Sequence, residues 1–452
     1  MAQMSPRDAQ LYWASARMPN DQYLLYAFED LGASWTSVRD FVAGRTWSIP
    51  DLRVRVEDVP AHLDYPYWVT REFGDDQLVE HPLEDPTWQR CLDDVARRLG
   101  DGVDARVSPW RLHLYRAVRG VPGCADAPAV VAVLQLSHAL ADGRRAAAIA
   151  RALFGPEPAD QPPPEHLAVP TTPTTLTRAV LRLPGQGAGL VVRGVEAFRA
   201  HRDECALVER GELPAPLASR PPTALNSPPG PRHDLRVVVR PLSALRAEGV
   251  TVTVAALTAI SLALPRYLAE HGSPHVPRLG AEVTVADSVA QSSPVLSRNN
   301  FRNISVDLFP DEPDLEVRAG QIATVLAGRR VRSAHELVRR QERTLDVLPA
   351  ALLHAGIAGQ AVDRAPEAVS GHTVLTSVDR GAADLSLLGG RVLLTAGFPA
   401  LSSAMALTHG VYGIGDTVTV SAHSGRAVLP DPDRYAAILG ESIDAVGRVL
   451  RR

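Results

Sequence analysis

One continuous segment, residues 130–154, limits the folds open to this chain more than any other. Its sequence is VVAVLQLSHALADGRRAAAIARALF. Residues 130–136 are an almost unbroken apolar run rich in β-branched side chains, which predicts a strand buried on both faces. Residues 144–154 are rich in alanine and other strong helix formers, and they predict a helix. The residues between them therefore form a strand-to-helix turn, and His138 lies in this turn at the end of a core strand.

The turn carries residues that suit acid–base chemistry. His138 is followed by Asp142 and Gly143, and we expect the glycine to give the backbone freedom at the bend. An imidazole at a strand end can act as a general base near neutral pH when a carboxylate or a carbonyl fixes its tautomer. It would then remove a proton from an alcohol or amine that attacks an activated acyl carbon. The alternative is a hydrogen-bonded core histidine followed by an aspartate that caps the helix, and the residues alone leave both open.

Two other side chains could act with His138 or take its place as the base. Ser137 precedes it directly, but adjacent strand residues point to opposite faces, so the two are poorly placed as a nucleophile and its base. His113 lies in a predicted strand, residues 110–118, that we expect to pair with residues 130–136. Its side chain points away from those of the flanking leucines, toward solvent or a polar seam. His138 is therefore the favoured base.

Composition excludes several classes of function. A formal net charge of −4 gives no electrostatic footprint for nucleic acid. The three cysteines are widely spaced and predict neither a disulfide framework nor a zinc site, and we expect no metal. The amino terminus lacks the pattern of a secretion signal, and no run approaches the roughly eighteen apolar residues of a membrane span. We expect a cytoplasmic protein with no obligate protein partner, which lies on membranes if it meets them.

The remaining pattern divides the chain into two halves that each mix strands and helices. Residues 1–155 contain the histidine motif, and a second series of strands and helices fills residues 233–452. Residues 156–232 are rich in proline and predict a surface crossover linker, with a short helix only at 197–209. The glycine-rich stretch 185–189 follows proline rather than a strand, so we interpret it as linker and not as a nucleotide loop.

His-x-x-x-Asp-Gly after an apolar strand resembles the signature of acyl-CoA-dependent O-acyltransferases of the chloramphenicol acetyltransferase fold. These include peptide-synthetase condensation domains and the bacterial wax ester synthase/diacylglycerol acyltransferases. The last group is the most similar, because further segments that resemble it follow in the expected order. They are residues 4–9 (MSPRDA), 108–114 (SPWRLHL), 299–308 (NNFRNISVDL) and 311–314 (DEPD).

The resemblance implies an α+β fold of two chloramphenicol acetyltransferase-like lobes with the active-site channel between them. It also implies direct acyl transfer, in which His138 takes the acceptor proton, the hydroxyl attacks the thioester and CoA leaves. Asp142 and Gly143 would hold the loop. The substrates would be a long-chain acyl-CoA and a hydroxyl acceptor lipid, either diacylglycerol or a fatty alcohol, with no further cofactor. The product would be triacylglycerol or wax ester, and the protein would be peripheral at the inner membrane or lipid droplets.

The chain departs from the family pattern at three places. Ser137 stands where the family usually has a first histidine, Thr253 and Val254 replace an expected Asn-Asp pair, and residues 376–381 (TSVDRG) replace Ser-Asn-Val-Pro-Gly-Pro. Two alternatives therefore stay open. One is a condensation-type acyltransferase that uses a carrier-protein thioester and lacks a basic pocket for CoA, and the other is a catalytically degenerate lipid-binding homologue. The candidates for lining the channel or stabilising the oxyanion are Ser137, Asn299, Asn300, Thr376 and Ser377.

Overall fold

The computed structural model describes residues 2–124, 127–156, 166–287, 297–362 and 364–451. Over these residues it has ten α-helices, two six-stranded sheets and one three-stranded sheet. The helices are α1 (Pro6–Ser15), α2 (Trp35–Trp47), α3 (Trp88–Arg98), α4 (Gly143–Phe154), α5 (Thr172–Glu209), α6 (Val252–Glu270), α7 (Leu315–Ala334), α8 (Glu336–Glu342), α9 (Ala350–Ala358) and α10 (Pro432–Leu450). The strands are β1 (Ala2–Gln3), β2 (Gln22–Glu29), β3 (Val54–Glu57), β4 (Tyr67–Thr70), β5 (Leu78–Glu80), β6 (Trp110–Val118), β7 (Ala129–Leu136), β8 (His233–Pro241), β9 (Gly280–Ala286), β10 (Phe301–Asp307), β11 (Thr373–Asp379), β12 (Ser386–Leu387), β13 (Gly390–Gly397), β14 (Leu407–Ile414) and β15 (Thr417–Gly425).

The first six-stranded sheet has the order β12-β13-β2-β7-β6-β5. Strand β7 lies between β2 and β6, antiparallel to both, so the predicted pairing of residues 110–118 with 130–136 is confirmed. All eight residues of β7 are buried. Its side chains alternate between two layers: Val130, Ala132 and Leu134 pack toward α4, and Val131 and Val133 pack toward α3. Helices on both faces explain why this strand is apolar throughout.

The second six-stranded sheet has the order β10-β9-β11-β14-β15-β8, and α6, α7 and α10 cover one of its faces. Helix α6 is long and apolar enough by composition to cross a membrane. This differs from the prediction that no run of the chain is long and apolar enough for a membrane span. In the structure 67% of this apolar stretch is buried inside the protein. Its apolar residues therefore serve the core of this lobe.

One segment of the carboxy-terminal half belongs to the amino-terminal sheet. Strand β13 pairs antiparallel with β2, and β12 extends the sheet beyond it. The hydroxyl of Thr419 on β15 also donates to the carbonyl of Thr395 on β13 at 2.6 Å, which links the two sheets. The predicted division into residues 1–155 and 233–452 therefore does not hold for this strand. It crosses over because β2 would otherwise present an open edge of unpaired backbone groups.

The predicted linker contains the longest helix in the described residues. Helix α5 has 38 residues and continues through Pro184 and the glycine-rich stretch 185–189, so the prediction of a short helix at 197–209 was wrong. Pro173 is in the first turn, where a proline costs little. Packing on α8 and an ion pair between Glu204 and Arg332 hold the helix against the protein and offset the cost of Pro184. The predicted linker prolines at 158 and 162–164 lie outside the described residues.

Candidate active site

His138 lies two residues after the end of β7, on the turn that leads into α4. Its ring lines a cavity of about 310 Å³, hereafter the histidine cavity. The walls of this cavity come from both six-stranded sheets, with β2 on one side and β9, β10 and β11 on the other. Phe301, the first residue of β10, stacks on the imidazole with ring centroids 5.2 Å apart. The predicted base therefore faces a cavity between the two lobes.

The amide of Asn299 determines which nitrogen of His138 carries the proton. Its Nδ2 donates to Asp8 Oδ1 at 2.9 Å and to the main-chain oxygen of His138 at 2.8 Å. Its Oδ1 therefore faces Nδ1 of the ring, 3.1 Å away, as an acceptor. Nδ1 then carries the proton and Nε2 carries the lone pair that a general base needs. The side-chain amide of Gln22 lies 3.4 Å from Nδ1 and donates instead to the carbonyl of Ala141.

Asp8 holds Asn299 in place from a fully buried position. This aspartate lies in the first turn of α1, where Ser5 caps the helix. Its carboxylate accepts hydrogen bonds from the hydroxyls of Ser5 at 2.7 Å and Ser297 at 3.0 Å. It also accepts one from the main-chain N–H of Arg298 at 3.0 Å. The amino-terminal segment thereby fixes the loop that orients the histidine, a function that its place in the sequence did not reveal.

The surroundings of His138 keep its imidazole neutral. Burial lowers its pKa below the ordinary 6.5. Hydrogen bonds of the ring, including the bond to Asn299, raise the pKa in part, as do the charges of Asp142 and Asp8. The net direction is downward, so the ring holds a free lone pair at pH 7.

Asp142 joins the histidine turn to the opposite lobe. Its Oδ1 accepts from the main-chain N–H of Arg145 at 2.8 Å and so caps α4, and its Oδ2 accepts from the main-chain N–H of Asn300 at 2.8 Å. Gly143 does not have the positive φ that the predicted backbone freedom would require. A Cβ at this position would lie 3.3 Å from a methyl of Val378. The glycine is therefore needed for close packing of α4 against β11 rather than for its flexibility.

The other predicted candidates lie at different distances from the chemistry. Ser137 is buried and does not line the histidine cavity. Asn300 and Ser377 line a second cavity beside it, and the Asn300 amide donates to the carbonyl of Ser297 at 2.9 Å. Among the predicted candidates, Thr376 alone lines both cavities. Its hydroxyl is therefore the candidate group where the two cavities meet.

This second cavity, hereafter the arginine cavity, has a volume of about 540 Å³. It adjoins the histidine cavity, and the two share the lining residues Gly143, Thr284, Phe301, Thr376 and Val378. Its walls carry Arg144, Arg302, Arg330 and Arg339 against Asp142, Asp287 and Asp379. Asp287 pairs with Arg302 at 2.8 Å and with Arg339 at 3.1 Å. Arg144 and Arg330 are exposed and have no ion-pair partner among the described residues, so their charges are available to an anionic ligand.

Comparison with protein families identifies the chain. The wax ester synthase/diacylglycerol acyltransferase catalytic domain matches residues 4–255, which is more than half of the chain. The chain belongs to this family. It is therefore an acyltransferase, and the predicted family is confirmed. The matched part includes Asp8, His138 and Asp142, whereas Asn299 and the rest of the opposite wall lie beyond it.

Solved structures show the fold of this wax ester synthase/diacylglycerol acyltransferase family member. A wax ester synthase/diacylglycerol acyltransferase from Marinobacter aquaeolei VT8 matches with a TM-score of 0.62 and 17% identity, over 99% of this chain and 100% of its own. The first condensation domain of the calcium-dependent antibiotic synthetase, in complex with a substrate analogue, matches with a TM-score of 0.56 and 12% identity, over 98% and 96%. The starter condensation domain of rhizomide synthetase, in complex with C8-CoA and Leu-SNAC, matches with a TM-score of 0.54 and 13% identity, over 99% and 94%. The predicted α+β fold of two chloramphenicol acetyltransferase-like lobes is confirmed. A search of curated proteins found no match.

Within the described residues, no group of three or more His, Cys, Asp or Glu side chains could hold a metal ion. The family member instead concentrates its polar groups around one imidazole. Of the family positions that this chain has changed, Thr253 lies in the first turn of α6 and lines the arginine cavity. Residues 376–379 line this cavity as well. Two of the three departures therefore contribute to the wall of the arginine cavity, whereas the third, Ser137, is buried and lines neither cavity.

Proposed function

We propose that this family member transfers a long acyl chain from acyl-CoA to the hydroxyl of an acceptor lipid, with His138 as the general base. The observation that carries the proposal is the bond from Nδ1 of His138 to Asn299, because it leaves Nε2 unprotonated beside the cavity. The acceptors implied by the family are diacylglycerol and fatty alcohols, and the products are triacylglycerol and wax esters. Acyl-CoA is a substrate, and the reaction needs no further cofactor.

The reaction proceeds through one tetrahedral intermediate. Nε2 of His138 takes the hydroxyl proton while the acceptor oxygen bonds to the thioester carbonyl carbon. The carbon–sulfur bond then breaks, and the imidazolium returns the proton to the leaving thiolate, so that free CoA and an ester result. The lowered pKa of His138 keeps the base neutral at pH 7, and it makes the imidazolium a ready acid for the second step.

The oxyanion of the intermediate needs a hydrogen-bond donor near the junction of the two cavities. We propose the hydroxyl of Thr376, which lines both cavities and lies 3.2 Å from the hydroxyl of Thr284. Asn299 is a weaker candidate than the sequence suggested, because its amide hydrogens already go to Asp8 and to main-chain oxygens. Ser137 is buried away from the cavity and has no part in the proposal.

The arginine cavity supports CoA rather than a carrier protein as the donor. CoA carries a diphosphate and a 3′-phosphate, which guanidinium groups bind in a bidentate manner. Arg144 and Arg330 are exposed at this cavity without ion-pair partners in the described residues. The carrier-dependent alternative expects no basic pocket of this kind. A structure with a similar fold has also been solved in complex with C8-CoA.

The test measures free thiol release from palmitoyl-CoA in the presence of dioleoylglycerol or hexadecanol. We expect acceptor-dependent release by the wild-type protein. The variant His138→Ala should be slower by about a hundredfold to ten-thousandfold, which is the usual contribution of a general base. The matched control is His166→Ala, since His166 is an exposed histidine outside both cavities and should be dispensable.

Three results would contradict parts of the proposal. An unchanged rate in the His138→Ala variant would exclude this histidine as the base. Thiol release that occurs only with an acylated carrier protein would show that the carrier protein, and not acyl-CoA, is the acyl donor. Lipid binding without release from any donor would identify a degenerate homologue.

A further inference from the structure

Arg380 is a buried cation in the wall of the histidine cavity. It follows β11 directly, and only 3% of its surface is exposed. Its guanidinium lies between two tyrosine rings, 5.1 Å from the centroid of Tyr26 and 4.5 Å from that of Tyr412. Its Nη1 donates to the Tyr26 hydroxyl at 2.8 Å. The side chain is thus held rigidly in the same cavity that His138 lines.

The charge of Arg380 has no counter-ion in the described part of the chain. No carboxylate of the described residues lies within 4.0 Å of the Arg380 guanidinium. The Nε atom of this side chain is buried and has no hydrogen-bond partner. An arginine stays protonated at any ordinary pH, and burying an unpaired charge is costly. Two aromatic faces compensate only part of this cost. The wall of the cavity therefore carries a fixed positive charge that has no counter-ion among the described residues.

The two acidic side chains of the histidine cavity are bound elsewhere. Asp21 accepts a hydrogen bond from the side chain of Gln135 at 2.7 Å, and burial raises its pKa to about 6. Glu282 accepts from the hydroxyl of Ser370. Neither pairs with Arg380, although all three line one cavity.

Arg380 also lies where this chain departs from the family it resembles. It belongs to residues 376–381, the segment TSVDRG that stands in place of Ser-Asn-Val-Pro-Gly-Pro. The oxygens of a neutral substrate such as diacylglycerol or hexadecanol could accept a hydrogen bond from a guanidinium, but they would not neutralise its charge. The substitution is therefore best explained by a substrate that carries a negative charge.

We propose that the acceptor of this enzyme is an acidic lipid alcohol, whose carboxylate or phosphate binds Arg380 while its hydroxyl meets His138. This inference rests on the proposed function, in which CoA occupies the arginine cavity and the acceptor occupies the histidine cavity. An oxyanion in this cavity would accept charge-assisted hydrogen bonds from the guanidinium of Arg380, which lines the cavity. Because Arg380 and His138 line one cavity of about 310 Å³, the anion must lie only a few bonds from the hydroxyl. A 3-hydroxy acid and a lysophosphatidate meet this requirement.

The experiment uses acceptors in charged and neutral pairs with palmitoyl-CoA as donor. The first pair is 3-hydroxyhexadecanoate and its methyl ester, and the second is 1-oleoylglycerol 3-phosphate and 1-oleoylglycerol. We expect the wild type to prefer the charged member of at least one pair by about tenfold to a hundredfold in kcat/KM, as a buried charged hydrogen bond allows. The pair that shows the preference distinguishes a carboxylate from a phosphate. The isomer 16-hydroxyhexadecanoate should gain no such preference, because its charge is far from its hydroxyl.

The variant Arg380→Gln should lose the preference by a fall in kcat/KM for the charged acceptor alone. Arg380→Lys keeps the charge without the planar fork and should retain part of the preference, which gives a second measurement if the glutamine variant does not fold. The matched control Arg278→Gln changes an exposed arginine that lines neither cavity, and its preference should stay. Equal use of both members of each pair by the wild type, or a preference that survives in Arg380→Gln, would overturn the proposal.

Binding of the same lipids without acyl-CoA separates this inference from the proposed function. Calorimetry should show tighter binding of the charged lipid to wild type than to Arg380→Gln, whether or not turnover occurs. Such binding in a protein without transfer activity would refute the proposed function and support the anion site. Turnover of neutral acceptors without preferential binding of either anion would do the reverse.

Discussion

At the scale of single residues, the chemistry depends on how Asn299 and burial set the state of His138. Burial lowers the pKa of the imidazole, and the bond to Asn299 raises it in part. Because only the neutral ring can take a proton, kcat/KM should rise about tenfold per pH unit on the acid side and level off below pH 6.5. Asn299→Ala should move this acid limb to lower pH and lower the plateau by about tenfold or more, since the tautomer is no longer fixed. A pH profile of both proteins measures the two effects.

A pKa of His138 that is raised above 6.5, rather than lowered, would contradict this account of the base. An acid limb above pH 6.5 in the wild type would mean that the protonated ring is stabilised overall. A plateau unchanged in the Asn299→Ala variant would show that the amide does not orient the ring. The variant Asn300→Ala is a suitable control, because its side chain bonds only to the carbonyl of Ser297 in the described structure.

At the scale of secondary-structure elements, Asp142 couples α4 to the start of β10. Asp142→Ala removes the cap of α4, which costs about 1 kcal/mol, and leaves the N–H of Asn300 without its acceptor, which costs about 1–3 kcal/mol. The free energy of unfolding should fall by the sum, and kcat should fall because the histidine turn is no longer held against the opposite lobe. Asp142→Asn retains one acceptor oxygen for the helix cap and should recover only the first part. Urea unfolding followed beside thiol release tests this, and loss of rate without loss of stability would point to a direct catalytic function instead.

At the scale of the whole molecule, α5 presents an apolar stripe to solvent. The stripe consists of exposed side chains at helical spacing, and 75% of Leu181 and 70% of Phe198 are accessible. Its members are Val180, Leu181, Val191, Val192, Val195 and Phe198. Arg178 and Arg199 are exposed on the same helix and have no ion-pair partner among the described residues, so they can contact the head groups of an anionic lipid surface. We therefore propose that α5 is the element through which the enzyme reaches membranes or lipid droplets.

Vesicle sedimentation tests the stripe on the intact protein. The double variant Leu181→Ser and Phe198→Ser should bind vesicles of phosphatidylcholine and phosphatidylglycerol about tenfold or more weakly, because two large apolar side chains no longer enter the lipid. Leu31→Ser is the matched control, since Leu31 is equally exposed but lies outside α5. Equal binding of all three proteins, or no binding by the wild type, would exclude this surface.

The local sequence was sufficient to predict most of the elements that hold the site. The apolar run and the alanine-rich run that follows predicted β7 and α4, because burial on both faces and helix propensity are local properties. The histidine motif and four further segments also resembled the family that the match over residues 4–255 confirms.

Prediction from the sequence was wrong or incomplete where contacts between distant residues decide the outcome. Prolines and glycines suggested a linker, but packing on α8 sustains α5 through Pro184. Strand β13, from the carboxy-terminal half, pairs with the edge of β2 in the amino-terminal sheet. No pattern in the local sequence predicts this pairing. Strand β14 was not predicted, because its isolated sequence carries too few alternating residues for a strand.

The sequence by itself determined that a histidine ends a buried strand in an acyltransferase of two α+β lobes. Periodicity, helix propensity and a spaced motif are read within a few residues, so they survive without the fold. Only the tertiary structure decided that Asn299, 161 positions away, fixes the tautomer of His138 and that Asp8 holds that amide. It also decided that Arg380 is buried in the same cavity without a counter-ion among the described residues. A hydrogen bond and a desolvated charge depend on distance and on exclusion of water, and the folded chain alone sets both.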